Sequence, residues 1–120
     1  MNLKRVVVTG IGALTPIGNT APAFWDGLMA GKSGADFITL FDASKFRTRF
    51  ACEVKGFDPT EFLDKKEARK VDRYTQFGLV VSDEAVKDAG IGNDNVDHDR
   101  VGVIFSSGIG GLVTFQEEII

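Results

Sequence analysis

The sequence has 120 residues and a mass of 13.0 kDa, which is the size of one ordinary domain and excludes multi-domain machinery. Hydrophobic residues make up 43% and charged residues 26%, a composition typical of a packed globular chain and not of a disordered one. With 14 basic and 17 acidic residues the net charge is −3, which excludes a general attraction to nucleic acid or to an anionic membrane.

The N-terminal segment predicts a strand followed by a helix. From Arg5 to Val8 the run is β-branched and apolar, as in a parallel strand buried on both faces, and it is far too short for a signal peptide or a spanning helix. We therefore expect a soluble protein. A helix is predicted from Thr20 to Ala30, flanked by the usual start and stop residues: Asn19 or Thr20 as the cap, Pro22 in the first turn and Gly31 after the end.

The middle of the chain is predicted to leave the main body and return to it. Residues 31–56 are irregular and rich in phenylalanine, and only Phe50 to Val54 resembles a short strand. Asp58-Pro59-Thr60 predicts a helical turn. The clearest helix runs from Asp72 to Ala89, where apolar residues recur at steps of three or four, and Gly90 ends it.

A second buried strand is predicted from Arg100 to Ser106, so the order is strand, helix, excursion, helix, strand, which is typical of an α/β layered fold. Residues 113–120 begin a helix pattern without the usual stop signals, and no parallel strand follows. We therefore expect residues 1–120 to be part of a larger fold. A half-built sheet exposes an apolar face and an unpaired edge, so we expect the chain alone to aggregate.

Glycines follow both predicted strands, but neither set fits a dinucleotide-binding fingerprint. The pattern that starts at Gly10 has Thr15 where the third glycine is required, and the pattern that starts at Gly108 has Val113 there. The glycines therefore predict tight structural turns. A small nucleotide-binding module is kept as an alternative.

The residues that could hold a metal or act as nucleophiles are few. The polar stretch from Asn93 to Asp99 carries calcium-type ligands, but His98 replaces the required glycine and Ile104 the terminal glutamate. His98 has no second ligand at zinc spacing, so we expect it at the surface and expect no metal and no cofactor. Cys52 is the only cysteine, which excludes an internal disulfide and fits the cytoplasm. Its apolar neighbours predict a buried, inert thiol.

A basic segment stands out on this acidic protein. If the chain is helical from Lys66 to Arg73, then Lys66, Arg69, Lys70 and Arg73 share one face, with Lys65 beside them. One interpretation is a solvated helix face balanced by nearby acidic residues. The other is a docking site for an acidic partner, because clustered cations steer association even when the net charge is negative.

Six motifs follow one another along the whole chain: Arg5-Val6-Val7-Val8-Thr9-Gly10-Ile11-Gly12, Thr15-Pro16-Ile17-Gly18-Asn19, Phe24-Trp25, Gly31-Lys32-Ser33-Gly34, Lys65-Lys66-Glu67-Ala68-Arg69-Lys70-Val71-Asp72 and Ser106-Ser107-Gly108-Ile109-Gly110-Gly111. In this order and spacing they resemble the N-terminal part of the β-ketoacyl-acyl carrier protein synthases, most closely the type II bacterial elongation enzymes.

The resemblance implies a thiolase-like fold of two similar α/β halves, of which this chain covers the start of the first, and a homodimer in cytoplasmic fatty acid synthesis. In that family a cysteine takes the acyl group as a thioester, and two histidines promote decarboxylation of the malonyl-carrier and stabilise the oxyanion. Neither Cys52 nor His98 stands in a matching context. The resemblance therefore places no catalytic residue in this chain, and we expect the 120 residues alone to be inactive.

Two family features fall inside the chain. Lys66, Arg69 and Lys70, with Lys65 adjacent, match the basic patch on which the acidic acyl carrier protein docks. Ile109, between Gly108 and Gly110, matches the isoleucine that gates the acyl pocket. A second possibility within the same fold is a chain-length-factor type subunit of a polyketide synthase, which lacks the nucleophilic cysteine and serves as a partner.

Overall fold

In a computed structural model the chain is described over residues 3–92 and 96–120. The regular elements, in chain order, are α1 (Ala21–Met29), β1 (Ala35–Phe37), β2 (Phe50–Cys52), a 3₁₀ turn (Pro59–Glu61), α2 (Lys65–Ala68), α3 (Arg73–Ala89), a second 3₁₀ turn (His98–Arg100) and α4 (Leu112–Ile119).

Helix α1 confirms the prediction made from its flanking residues. The Thr20 side chain caps the helix by accepting the backbone N–H of Ala23 at 3.3 Å, and a proline occupies the first turn. Gly27 is buried because the helix packs there on Ile17, where a Cβ would lie 2.8 Å from the Ile17 carbonyl oxygen. The chain leaves the helix through Gly31, which has a φ of 62°.

The sheet of the described residues is a two-stranded antiparallel ribbon that pairs Ala35 with Cys52 and Phe37 with Phe50. The strand predicted at Phe50 is therefore confirmed, whereas its partner β1 lies in a segment predicted to be irregular. Beyond the strands, Glu53 accepts hydrogen bonds from the Thr39 hydroxyl at 2.6 Å and from the Thr39 backbone N–H at 3.0 Å. These two bonds hold the pKa of the Glu53 carboxyl below its usual range.

Helix α3 forms where the apolar spacing predicts it and ends at Gly90 in the left-handed conformation, with a φ of 64°. Its acidic residues hold the segment before α1. The Glu84 carboxylate accepts the backbone N–H groups of Ala13 and Ala21, each at 2.8 Å, and Asp88 accepts that of Ile11 at 2.9 Å. One glutamate thus joins the N-terminal segment to the start of α1.

The predictions of buried strands at residues 5–8 and 100–106 are wrong. Both segments are solvent-exposed and carry no strand pairing among the described residues. A strand requires a neighbour that pairs with its N–H and C=O groups, and the described residues supply none for either segment. Gly12, which follows the first segment, and Phe105, within the second, pack on α3 instead. A Cβ on Gly12 would overlap the carbonyl oxygen of Val81, and the Phe105 ring packs on Gly78. Glycines at these positions therefore permit close packing on the helix.

Candidate functional site

The basic residues singled out in the sequence are all exposed, but they do not share one helix. Lys65 and Lys66 lie in α2, Arg69 follows its last residue, and Lys70 lies in the turn before α3. The prediction of a continuous helix from Lys66 to Arg73 is therefore wrong.

The helix stops because the carbonyls released at its end find another partner. The Gln76 side-chain amide, one turn into α3, donates to the Ala68 carbonyl at 2.8 Å and to that of Val71 at 3.4 Å. Ala68, the last residue of α2, is buried. The cations are consequently spread over a helical turn and the bend that follows it.

The electrostatics of this segment leave positive charge uncompensated. Lys70 forms an ion pair with Glu67 at 2.6 Å. Over residues 3–92 and 96–120, Lys65, Lys66 and Arg69 form no ion pair. An exposed, largely unpaired cluster of cations has the character of an anion-binding or acidic-partner surface.

The glycine-rich loop 108–111 lies on the first turn of α3. Ile109 at its tip is 75% exposed. A Cβ on Gly110 would lie 2.6 Å from the Tyr74 ring, and one on Gly111 would lie 2.7 Å from Asp72 Oδ2. Gly111 is left-handed, with a φ of 68°, and leads directly into α4. The loop thus packs on two side chains at the start of α3.

A side-chain hydrogen bond also joins α4 to the start of α3. The Thr114 hydroxyl of α4 donates to Asp72 Oδ1, across 42 residues of sequence. The contact between these two residues was not predicted, and because they are so far apart no local pattern could have indicated it. A cavity of about 340 Å³ adjoins the basic segment and the start of α4, and it is lined by Arg69, Lys70, Val71, Asp72, Thr75 and Thr114. The fold therefore brings the basic segment and the glycine-rich loop together.

The remaining candidate residues lie elsewhere. His98 is exposed in the second 3₁₀ turn, as predicted. Cys52 was predicted to be buried, and this is wrong: the thiol is exposed, because the described residues provide no layer that covers β2.

No cluster of three metal-ligating side chains occurs within 3–92 and 96–120, and part of the polar stretch 93–99 lies outside those residues. No helix of the described chain is long and apolar enough to cross a membrane.

A second, larger groove of about 770 Å³ runs between α1 and α3. Its apolar lining comprises Ile11, Phe24, Trp25, Leu28, Phe62 and Val80. Carboxylates at its rim already accept backbone N–H groups, as described for Glu84 and Asp88. The groove is therefore an apolar surface with its polar rim internally satisfied.

Solved structures with the same fold identify the class of protein. The chain is similar to "The ishigamide ketosynthase/chain length factor", with 36% identity and a TM-score of 0.66 over 75% of this chain and 22% of that one. It is also similar to a β-ketoacyl synthase from Burkholderia phymatum, with 28% identity and a TM-score of 0.61 over 81% of this chain and 24% of that one. The fold class is thus that of the thiolase-fold ketosynthases, as predicted.

Residues 3–119 match the β-ketoacyl synthase N-terminal domain family, and the chain belongs to that family. It is 49% identical over 115 residues to the 3-oxoacyl-[acyl-carrier-protein] synthase 2 of Synechocystis sp., covering 96% of this chain and 28% of that protein. For the Vibrio cholerae protein of the same name the identity is 46% over 112 residues, covering 93% of this chain and 27% of that protein. The chain thus spans about a quarter of these relatives.

Proposed function

We propose that the chain is part of a condensing enzyme that elongates fatty acids. In this reaction the carbonyl carbon of an enzyme-bound acyl thioester bonds to the malonyl α-carbon, whose bond to the carboxylate breaks. Carbon dioxide and the enzyme thiol are released, and the carrier keeps the 3-oxoacyl product. The observation that carries this proposal is the identity of 46–49% with proteins named 3-oxoacyl-[acyl-carrier-protein] synthase 2, spread over nearly the whole chain.

Within that enzyme, the chain would supply binding and selection, not the chemical step. Its one cysteine is exposed on the two-stranded ribbon and its one histidine is exposed in a 3₁₀ turn, and the resemblance matches neither to a catalytic position. A chain-length-factor type partner subunit is the alternative. The names of the relatives favour the synthase. Formation of the 3-oxoacyl product by the full-length protein distinguishes the two, because that step requires the nucleophilic cysteine, which a chain-length-factor type subunit lacks.

The basic segment is proposed to dock the acyl carrier protein. Lys65, Lys66, Arg69 and Lys70 are exposed, and over 3–92 and 96–120 Lys70 is the only one of them in an ion pair, while Lys65 interacts electrostatically with Asp58. An acidic carrier would find on this face a cluster of cations that steers encounter. The resemblance adds a homodimer and a cytoplasmic location to the proposal.

The glycine-rich loop is proposed to gate the acyl pocket. Ile109 presents a branched apolar side chain between Gly108 and Gly110, and a Cβ on Gly108 would meet no described atom within 4 Å. Such a side chain can turn without moving the body of the protein. Its proximity to the basic segment would place docking and acyl selection on one face.

Charge reversal tests the docking proposal. In the full-length enzyme, Arg69→Glu with Lys70→Glu is expected to raise the KM for acyl-carrier substrate by about tenfold or more at low salt, with a smaller change in kcat. The effect should shrink as ionic strength rises, because exposed charges are screened.

The matched control is Lys45→Glu with Arg47→Glu, which changes the net charge equally at two exposed positions elsewhere in the chain. It should leave the KM near the wild-type value. An unchanged KM in the double reversal, measured at low salt, would remove the basic segment from the docking surface.

A further inference from the structure

Asp72 occupies a position where an aspartate ordinarily serves its own helix. It is the N-cap of α3, yet its side chain makes no capping hydrogen bond. An N-cap carboxylate usually accepts a backbone N–H two or three residues later. Here Oδ1 accepts the Thr114 hydroxyl instead, and Oδ2 lies under Gly111. The carboxylate is thus directed at the loop and not at the helix.

The loop has few other attachments. Gly110 packs on the Tyr74 ring and Gly111 on Asp72, whereas a Cβ on Gly108 would meet no described atom within 4 Å. Ile109 between them is largely exposed. Glycines on both sides allow the backbone many conformations, so the position of the loop depends on its contacts at the 110–114 end.

We infer that Asp72 is a positioning residue that fixes the gating loop 108–111 through the Thr114 hydroxyl and so sets the acyl-length selectivity exerted by Ile109. This inference rests on the proposed function, since it assigns the loop a role in acyl selection. Asp72 itself touches neither acyl chain nor reacting atoms; it acts by holding the start of α4 and the loop against α3.

Loss of the hydrogen bond between Asp72 and Thr114, here called the tether, should leave Ile109 in the loop but hold it less firmly in position. Ile109 would then sample more orientations, and discrimination between long and short acyl groups would weaken. Binding of the carrier should change little, because Arg69 and Lys70 retain their side chains and their exposure.

The experiment compares Thr114→Val, which removes the hydroxyl at nearly constant shape, with Thr114→Ser, which keeps it. In the full-length enzyme, Thr114→Val is expected to bring the kcat/KM ratio for long against short acyl-carrier substrates toward one by at least about threefold, the lower range for contacting pairs. The KM for the carrier should stay near wild type, and Thr114→Ser should restore the ratio. Thr48→Val, at an exposed site remote in sequence, is the control.

A double-mutant cycle assigns the effect to Asp72. Asp72→Ala should change the ratio as Thr114→Val does, and the double variant should change it no further, because both remove one interaction. Multiplicative effects, or an unchanged ratio in Thr114→Val, would overturn the inference.

Hydrogen exchange separates this inference from the proposed function. Thr114→Val should speed exchange of the Phe115 amide, which donates to the Gly111 carbonyl oxygen at 2.8 Å, by about tenfold, because the released loop end carries that carbonyl away from α4, whereas Thr114→Ser should not. If the wild-type enzyme fails to condense acyl substrates, the proposed function fails, and the exchange rates still test the tether. If Thr114→Val does not fold, Thr114→Ala serves in its place. Unchanged exchange overturns the tether whatever the activity.

Discussion

At the scale of one residue, the proposed acyl selectivity depends on Ile109. Its side chain is 75% exposed at the tip of loop 108–111, so a larger side chain there is not confined by a packed core. A substitution at residue 109 therefore changes mainly the side-chain volume that the proposed gate presents to the acyl group. The same position could be made larger without a large cost in folding.

We predict that Ile109→Phe shortens the preferred acyl chain. The bulkier ring should obstruct the far end of the acyl pocket, which lowers kcat/KM for long acyl-carrier substrates by about tenfold while short ones change little. Competition between acyl substrates of two lengths measures the ratio directly. Ile104→Phe, at an exposed position five residues earlier, is the matched control, and unaltered selectivity at Ile109→Phe would remove the gate from this residue.

At the scale of elements, the glycines that lie on α3 decide how closely the N-terminal segment can approach. A Cβ at Gly12 would overlap the backbone of Val81, and the adjacent Ala13 N–H is held by Glu84. Backbone on both sides of this contact leaves no flexible side chain that could yield. The segment and the helix must separate if a methyl group is added.

Gly12→Ala is therefore expected to destabilise the protein by about 1–3 kcal/mol, through overpacking and loss of the bond to Glu84. Gly102→Ala provides the comparison, because a Cβ there meets nothing within 4 Å and its φ is not positive. That variant should be neutral or slightly stabilising. Denaturant unfolding of both proteins measures the difference, and equal stability would contradict the packing described.

The elements that the sequence predicts well are those determined by local signals. Helix α1 lies where its cap residues and Gly31 indicate, and α3 lies where its apolar spacing and Gly90 indicate, since a helix satisfies most of its own backbone groups. The strands at 5–8 and 100–106 require a partner that no local pattern reveals, and their apolar runs lie exposed instead. The basic segment was identified by residue type, but its division at Ala68 depends on Gln76, eight residues away.

The candidate site follows the same rule. Residue types and family motifs point to the four cations and to Ile109, which are recognisable without coordinates. Their common position beside Asp72 depends on a contact across 42 residues. Only the folded backbone brings such a pair together.

The whole molecule exposes much more surface than its mass requires. A compact domain of this mass has about 6,300 Å² of accessible surface and a radius of gyration near 14 Å. The chain has 10200 Å² and 17.8 Å. Apolar side chains occupy much of the excess, and Ile104 is 98% exposed. Surface of this kind favours association.

We predict that the 120-residue chain alone self-associates as its concentration rises. Sedimentation velocity in the presence of reductant, which prevents disulfides through Cys52, should show mass increasing with concentration. Ile104→Lys should lower the association, whereas Thr48→Lys, which adds the same charge at an exposed polar position, should lower it less. A monomer that melts cooperatively at every concentration would contradict the prediction.

Because Cys52 is exposed, the distance between two parts of the chain can be followed by resonance energy transfer from tryptophan to a dye on this thiol. The chain has one cysteine and one tryptophan, and Trp25 lies on α1 while Cys52 lies on β2. A dye attached to the accessible thiol would accept excitation energy from a single defined donor, with no engineered label sites. The efficiency of transfer would then report the separation of helix and ribbon as the protein folds, binds or is covered by a partner.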